Sequence, residues 1–183
     1  MAHGPHADPN DPFQKRTAVA IAAFTTLLAF SNMLTNEART EAILSSNRAT
    51  NRWSHYQSKS TKQQLSRLEL SLLTRQPGGV VAEDKARLSS EIDRYEKEKL
   101  EIRREAEGFN AIEKAAEHRE HYFEYAATIA ELAIIAASVA LLLSSRKALM
   151  LALAVAMLAL ALTLYTKFGM PTPTAVVEPP PHA

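Results

Sequence analysis

The chain has 183 residues, a formal net charge of +1, no cysteine, nine prolines and one tryptophan. Without cysteine there are no disulfides, thiolate zinc sites or thiol catalysis. The near-neutral charge, with no basic patch interleaved with aromatics, excludes an electrostatic case for nucleic acid. A mean hydropathy of −0.16 averages very apolar segments with a very polar middle.

Residues 1–14 form a polar leader in which Gly4, Pro5 and Pro9 argue for disorder. His3 and His6 there, and His182 at the far end, read as incidental rather than as ligands. Thr17–Leu34 is apolar and follows Lys15-Arg16, so residues 15–35 are expected to form a first transmembrane helix of about 20 residues. A cleaved signal peptide competes with this, with Ala29-Phe30-Ser31 as the cleavage-like site. The long polar leader and the helical sequence continuing past Asn32 stand against it.

Residues 36–125 are densely charged, with one strong breaker, Pro77-Gly78-Gly79, near the midpoint. Nearly matched arms on either side predict an antiparallel helical hairpin with its tip at 77–79, each arm projecting ~60 Å at ~1.5 Å per residue. In the second arm Leu88, Ile92, Tyr95, Lys99, Ile102, Ala106, Phe109, Glu113, Ala116, Glu120 and Phe123 follow alternating steps of four and three. This is the repeat of a coiled-coil seam, interrupted at Lys99, Glu113 and Glu120. The first arm offers Leu65, Leu68 and Leu72 near the tip, with Trp53 and Ile43 lower down. Trp53 is expected in the core, facing Ala106 or Phe109. Asn36–Gln76 carries seven Lys/Arg against three Glu, hence +4, and Val80–Tyr125 nine against thirteen acids, hence −4. Opposite signs favour pairing of the arms. A two-helix hairpin has a narrow core, so a homo-oligomer is expected.

Residues 126–145 and 146–168 are expected to be the second and third transmembrane helices, with Arg146-Lys147 filling the turn between them. The Pro-rich tail 169–183 is expected to be disordered. Placing both basic pairs, Lys15-Arg16 and Arg146-Lys147, in the cytoplasm puts the N-terminus inside and the hairpin and C-terminus outside. Ala133/Ala137, Ala136/Ala140 and Ala148/Ala152/Ala156 have the small-xxx-small spacing that lets helices approach closely in lipid.

Three groups of side chains are candidate sites. Glu131 lies inside the second apolar stretch, where an ionisable group is costly unless paired or wetted. With Thr25, Thr26 and Asn32 of the first span it is a candidate ion or proton site; an interfacial Glu131, or one bonded to a polar residue of the first span, is the structural alternative. His118 and His121 share a helix face and, with Glu117 and Glu41, are a candidate divalent-metal or pH-sensing group. Their spacing matches no established metal motif, and a cluster of interfacial polar residues is the alternative. No nucleophile elbow, phosphate loop or paired-carboxylate cleft occurs, so neither an enzyme nor a cofactor is expected.

The layout resembles a bacterial membrane family, domain of unknown function 4337. The residues that carry the resemblance are the basic-flanked first span Lys15–Leu34, the stretch Asn47–Lys62 with its Trp-x-x-Tyr-Gln-x-Lys-Ser core at Trp53–Ser60, Arg94–Lys99, and His118–Phe123 leading to Ala130-Glu131. The resemblance covers about Phe13 to Phe168 and implies architecture and uncleaved spans, not an activity. It makes Trp53, Tyr56, Gln57 and Lys59 a candidate interaction surface. The expectation is an all-α, multi-pass protein of a bacterial inner membrane with a structural or interaction role; its partners are lipid, other copies of itself and an unidentified protein. An ion channel or transporter subunit is the second reading, and a metal or pH sensor the third.

Overall fold

The computed structural model describes residues 11–75 and 81–171. The expected tip Pro77–Gly79, His3, His6, His182 and nearly all of the leader and tail lie outside those residues. Among the described residues the protein is all-helical, without strands: α1 Pro12–Arg75, α2 Ala82–Leu142 and α3 Arg146–Leu164, the last running into a π-helical turn at Tyr165–Gly169. All three helices contain a stretch long and apolar enough to cross a membrane.

The helix starts follow local chemistry. The Asp11 carboxylate accepts from the Phe13 amide at 2.8 Å, and the Asp11 carbonyl accepts from Lys15 at 3.1 Å. Asp before Pro is a strong start signal, because the carboxylate caps a free N–H while Pro lacks a donor that would go unused. Helix therefore begins at Pro12, three residues before the expected first span, and residues 12–14 are not disordered leader. No Pro or Gly interrupts the borders near residues 35 and 125, and α1 and α2 run through them as helices of 64 and 61 residues.

The turn after α2 corrects a second expectation. Leu143, Ser144 and Ser145 make it, and Arg146 and Lys147 open α3. Ser144 has φ +47°, and the Ser145 hydroxyl caps α3 by accepting from the Ala148 amide at 3.4 Å. Two serines do here what a basic turn was expected to do. The 19 residues of α3 span ~28 Å, close to the ~30 Å of a hydrocarbon core.

The described residues fall into two compact units: 11–40 with 116–171, and 41–75 with 81–115. In the first, Phe24, Ala133, Ala137, Ala152 and Ala156 form one buried cluster, and Leu34, Ala38 and Phe123 a second. Small residues face inward, while Leu132, Ile135, Met150, Leu151 and Met157 face outward. Ala136 and Ala148 are only partly buried. The small side chains permit close helix approach, and the large apolar ones cover the outside.

In the second unit the α2 positions expected inside are inside: Leu88, Ile102 and Ala106 are buried, and Ile92, Tyr95, Lys99, Phe109 and Glu113 half-buried. The first-arm expectation fails. Leu65, Leu68 and Leu72 are 60%, 54% and 54% exposed, whereas Gln63 and Ser66 beside them are 2% and 8% exposed. Ile43 is exposed too, while Ala42, Ser45 and Ala49 are buried. The inward face of α1 here is made of Ala42, Ser45, Ala49, Arg52, Tyr56, Lys59, Gln63, Ser66, Leu70 and Leu73, again at alternating steps of three and four. Small and polar residues take the seam because α2 supplies the larger side chains and the countercharges opposite them.

Candidate functional site

In the second unit α1 and α2 are joined by side-chain pairs that run in opposite directions along the two helices. Arg52 meets Glu105 at 2.9 Å, Lys59 meets Glu98 at 2.7 Å, and Ser66 reaches Glu91 at 3.4 Å. The Arg48 guanidinium lies 5.9 Å from the Phe109 ring centroid. The centre of this ladder is Gln63. Its amide nitrogen donates to the Ile92 carbonyl at 3.1 Å and to Glu96 at 2.7 Å, and its amide oxygen accepts from Lys99 at 2.9 Å. Lys99 also reaches Glu96 at 3.3 Å and stands 5.5 Å from the Tyr56 ring centroid. The charge that interrupts the α2 seam is therefore matched by an acceptor, a carboxylate and an aromatic face. Hydrogen bonds from Gln63 and then Lys99 hold the Glu96 carboxyl below its ordinary range.

The four residues singled out as an interaction surface do not form one free face. Tyr56 and Lys59 are turned towards α2, where Lys59 also lies 5.6 Å from the Tyr95 ring. Trp53 is half-buried and packs edge-on against Tyr56 at 5.6 Å; the Phe109 ring expected near it is covered by Arg48. Gln57 alone is exposed.

In the first unit Arg39 forms a clamp. Its guanidinium donates to Glu120 at 2.6 Å and Glu124 at 2.9 Å, and hydrogen bonding to Glu120 is the main cause that raises its pKa. Lys167 pairs with Glu37 at 3.5 Å. Buried Ser31 and Thr163 share a hydroxyl hydrogen bond of 3.2 Å, linking α1 to α3. Sequence reasoning placed Ser31 in a cleavage-like site and missed both its bond to Thr163 and the Arg39 clamp. The signal for the clamp was Glu120 and Glu124 one helical turn apart.

The candidate ion site is not assembled. Glu131, Thr25, Thr26 and Asn32 are all exposed, and the Thr25 and Thr26 hydroxyls donate to the carbonyls of Ile21 and Ala22 in their own helix. Glu131 makes no hydrogen bond or ion pair among the described residues. Thr26 borders an apolar groove of about 390 Å³ between α1 and α3, lined by Phe24, Leu27, Phe30 and Leu160 among others. The metal candidate is not assembled either: among the described residues no group of three or more His, Asp or Glu is placed to hold an ion. His118 packs edge-on against Tyr122 at 5.0 Å, His121 Nδ1 lies 3.6 Å from Glu124, Glu117 is exposed and Glu41 is half-buried.

The chain belongs to the family described as domain of unknown function (DUF4337), whose model matches residues 13–169. Neither the curated proteins nor the solved structures yielded a match.

Proposed function

We propose that this member of a family of unknown function is a non-enzymatic integral membrane protein of structural or interaction type, needing no cofactor. Its three apolar helices anchor it in the cytoplasmic membrane, and residues 36–125 form an antiparallel coiled-coil hairpin displayed outside, in several copies. The observation that carries this reading is the ladder from Arg48–Phe109 to Ser66–Glu91, which spends the opposite charges of the two arms on each other rather than on a ligand. A chain of matched charges in water contributes little stability per pair but fixes register and orientation, as a display element requires.

The absence of native cysteine makes the test clean. Single cysteines at Gln57 and Lys114 should react with a membrane-impermeant maleimide on intact cells. Cysteines at Lys15 and Lys147 should react only after permeabilisation, and the protein should stay in the membrane under carbonate wash. Labelling of Lys15 and protection of Gln57 on intact cells contradicts the orientation; release by carbonate contradicts the anchor.

A second reading, an ion conductor, is favoured by one feature: Glu131 is an unpartnered carboxylate in an apolar stretch. It predicts ion flux in proteoliposomes that changes at least tenfold in Glu131→Gln, and unchanged flux removes it.

A further inference from the structure

In the second unit the outward face of α1 carries a repeat of its own. Leu44, Asn47, Asn51, Ser54, Ser58, Thr61, Leu65, Leu68 and Leu72 follow alternating steps of three and four, and every one is exposed. They form a second seam, turned away from the one that meets α2. It continues for four heptads, or ~42 Å at ~1.5 Å per residue. No charged residue occurs on it, although the segment carries Arg48, Arg52, Lys59, Lys62, Arg67 and Glu69. The neighbouring column, Ile43, Thr50, Gln57, Gln64 and Ser71, is also uncharged. Among the described residues none of the polar side chains of the stripe bonds another helix; the Thr61 hydroxyl donates to the Gln57 carbonyl of its own helix at 3.0 Å.

A heptad stripe seats a second helix in a parallel coiled coil through its apolar positions, here Leu44, Leu65, Leu68 and Leu72, and the uncharged Asn, Ser and Thr between them oppose no charge to it. We infer that the occupant is the same stripe of a second copy, the two α1 helices lying parallel. This deepens the membrane-anchored, multi-copy reading and rests on it, because copies inserted the same way up start their first arms from the same side. Three observations choose a second copy. The exposed face of α2 within the same unit carries charge on every turn, from Glu83, Lys85 and Arg87 through Asp93, Arg94 and Lys97 to Arg104 and Glu107, so the uncharged stripe is matched best by itself. In parallel register the flanking positions that cross between copies bring Ile43 to Arg48, Thr50 to His55, Gln57 to Lys62 and Gln64 to Glu69, with no like charges opposed. Asn47 and Asn51 fall at seam positions, where an amide pairs with its own copy and fixes register and copy number at a cost in stability.

The test is a cysteine scan of the full chain in native membranes or nanodiscs. Single cysteines at Leu44, Asn51, Ser58, Leu65, Leu68 and Leu72 should give same-residue disulfide dimers at least fivefold above cysteines at Ser60 and Arg67. Ser58→Glu with Thr61→Glu, on the solvent face and harmless to the fold of one copy, should abolish the cross-link at Leu65. A flat scan, a maximum at Ser60 or Arg67, or links only to other proteins overturns the inference. Native mass separates the two claims. An oligomer with a flat scan defeats this interface alone, and a monomer defeats the multi-copy reading as well.

Discussion

The two units of the chain turn the same kind of residue outward for different reasons. In the first, alanines meet inside and Leu132, Ile135, Met150 and Met157 face out. An apolar exterior is what lipid requires, so the arrangement is complete once the helices are in a membrane. In the second, Ala49, Gln63 and Ser66 are inside and Leu65, Leu68 and Leu72 outside. In water that inversion stays unfavourable until another surface covers the leucines. On the proposed reading, an outward leucine answers to lipid in one region and to a second copy in the other.

The comparison breaks first if the inner alanines of the first unit are not tightly packed. Ala137 is fully buried against Phe24, Ala152 and Ala156. Ala137→Leu should destabilise by ~1–3 kcal/mol through overpacking, read as a lowered unfolding midpoint in detergent. A neutral result would mean that the three helices do not meet there.

The second unit gives a smaller and more diagnostic effect. Gln63→Ala removes the acceptor and donor that serve Lys99, Glu96 and Ile92 and should cost ~1–2 kcal/mol. Lys99→Leu combined with Gln63→Leu should recover part of that loss, because the half-buried ammonium is removed together with its acceptor while the exposed Glu96 carboxylate stays solvated. A seam held by packing alone would instead show no loss in Gln63→Ala.

Much of this was legible in advance, and the failures have physical causes. The α2 seam could be read because its apolar residues keep a 3.5-residue repeat through Leu88, Ile102, Ala106 and Phe123. The α1 seam could not, because burial there is carried by small residues, an amide and the stems of Arg52 and Lys59. A hydrophobicity pattern finds Leu65, Leu68 and Leu72 instead, on the opposite face. The three apolar helices stood out by length. The bond between Ser31 and Thr163 did not, since it joins residues 132 positions apart. Of the candidate sites, Glu131 with its threonines failed to assemble because a threonine in a helix satisfies itself on the preceding turn.

The smallest expected effect is a pH dependence confined to the second unit. The folded Glu96 carboxyl lies below its ordinary value because Gln63 and Lys99 hold it. A lowered folded pKa means that the carboxylate contributes stability above the ordinary carboxylate range, and that this contribution is lost as pH falls through the folded value. Wild type should lose this contribution on acidification, and Glu96→Gln should lack that part of the slope in unfolding midpoints measured from pH 7 down to 3. Superimposable profiles for the two proteins would show that the ladder does not hold Glu96 in solution.

The central claim is that residues 41–75 of α1 and 82–115 of α2 pair antiparallel in the register that sets Arg52 against Glu105. Pulsed electron–electron resonance on doubly spin-labelled protein, diluted into unlabelled protein in nanodiscs, tests it most directly. Labels at Ser54 and Arg103 should lie within ~20 Å of each other. Labels at Ser54 and Glu83, twenty helical residues further along α2, are offset by ~30 Å along the axis at ~1.5 Å per residue and should lie more than ~30 Å apart. A long distance for the first pair, or a short one for the second, would contradict the account.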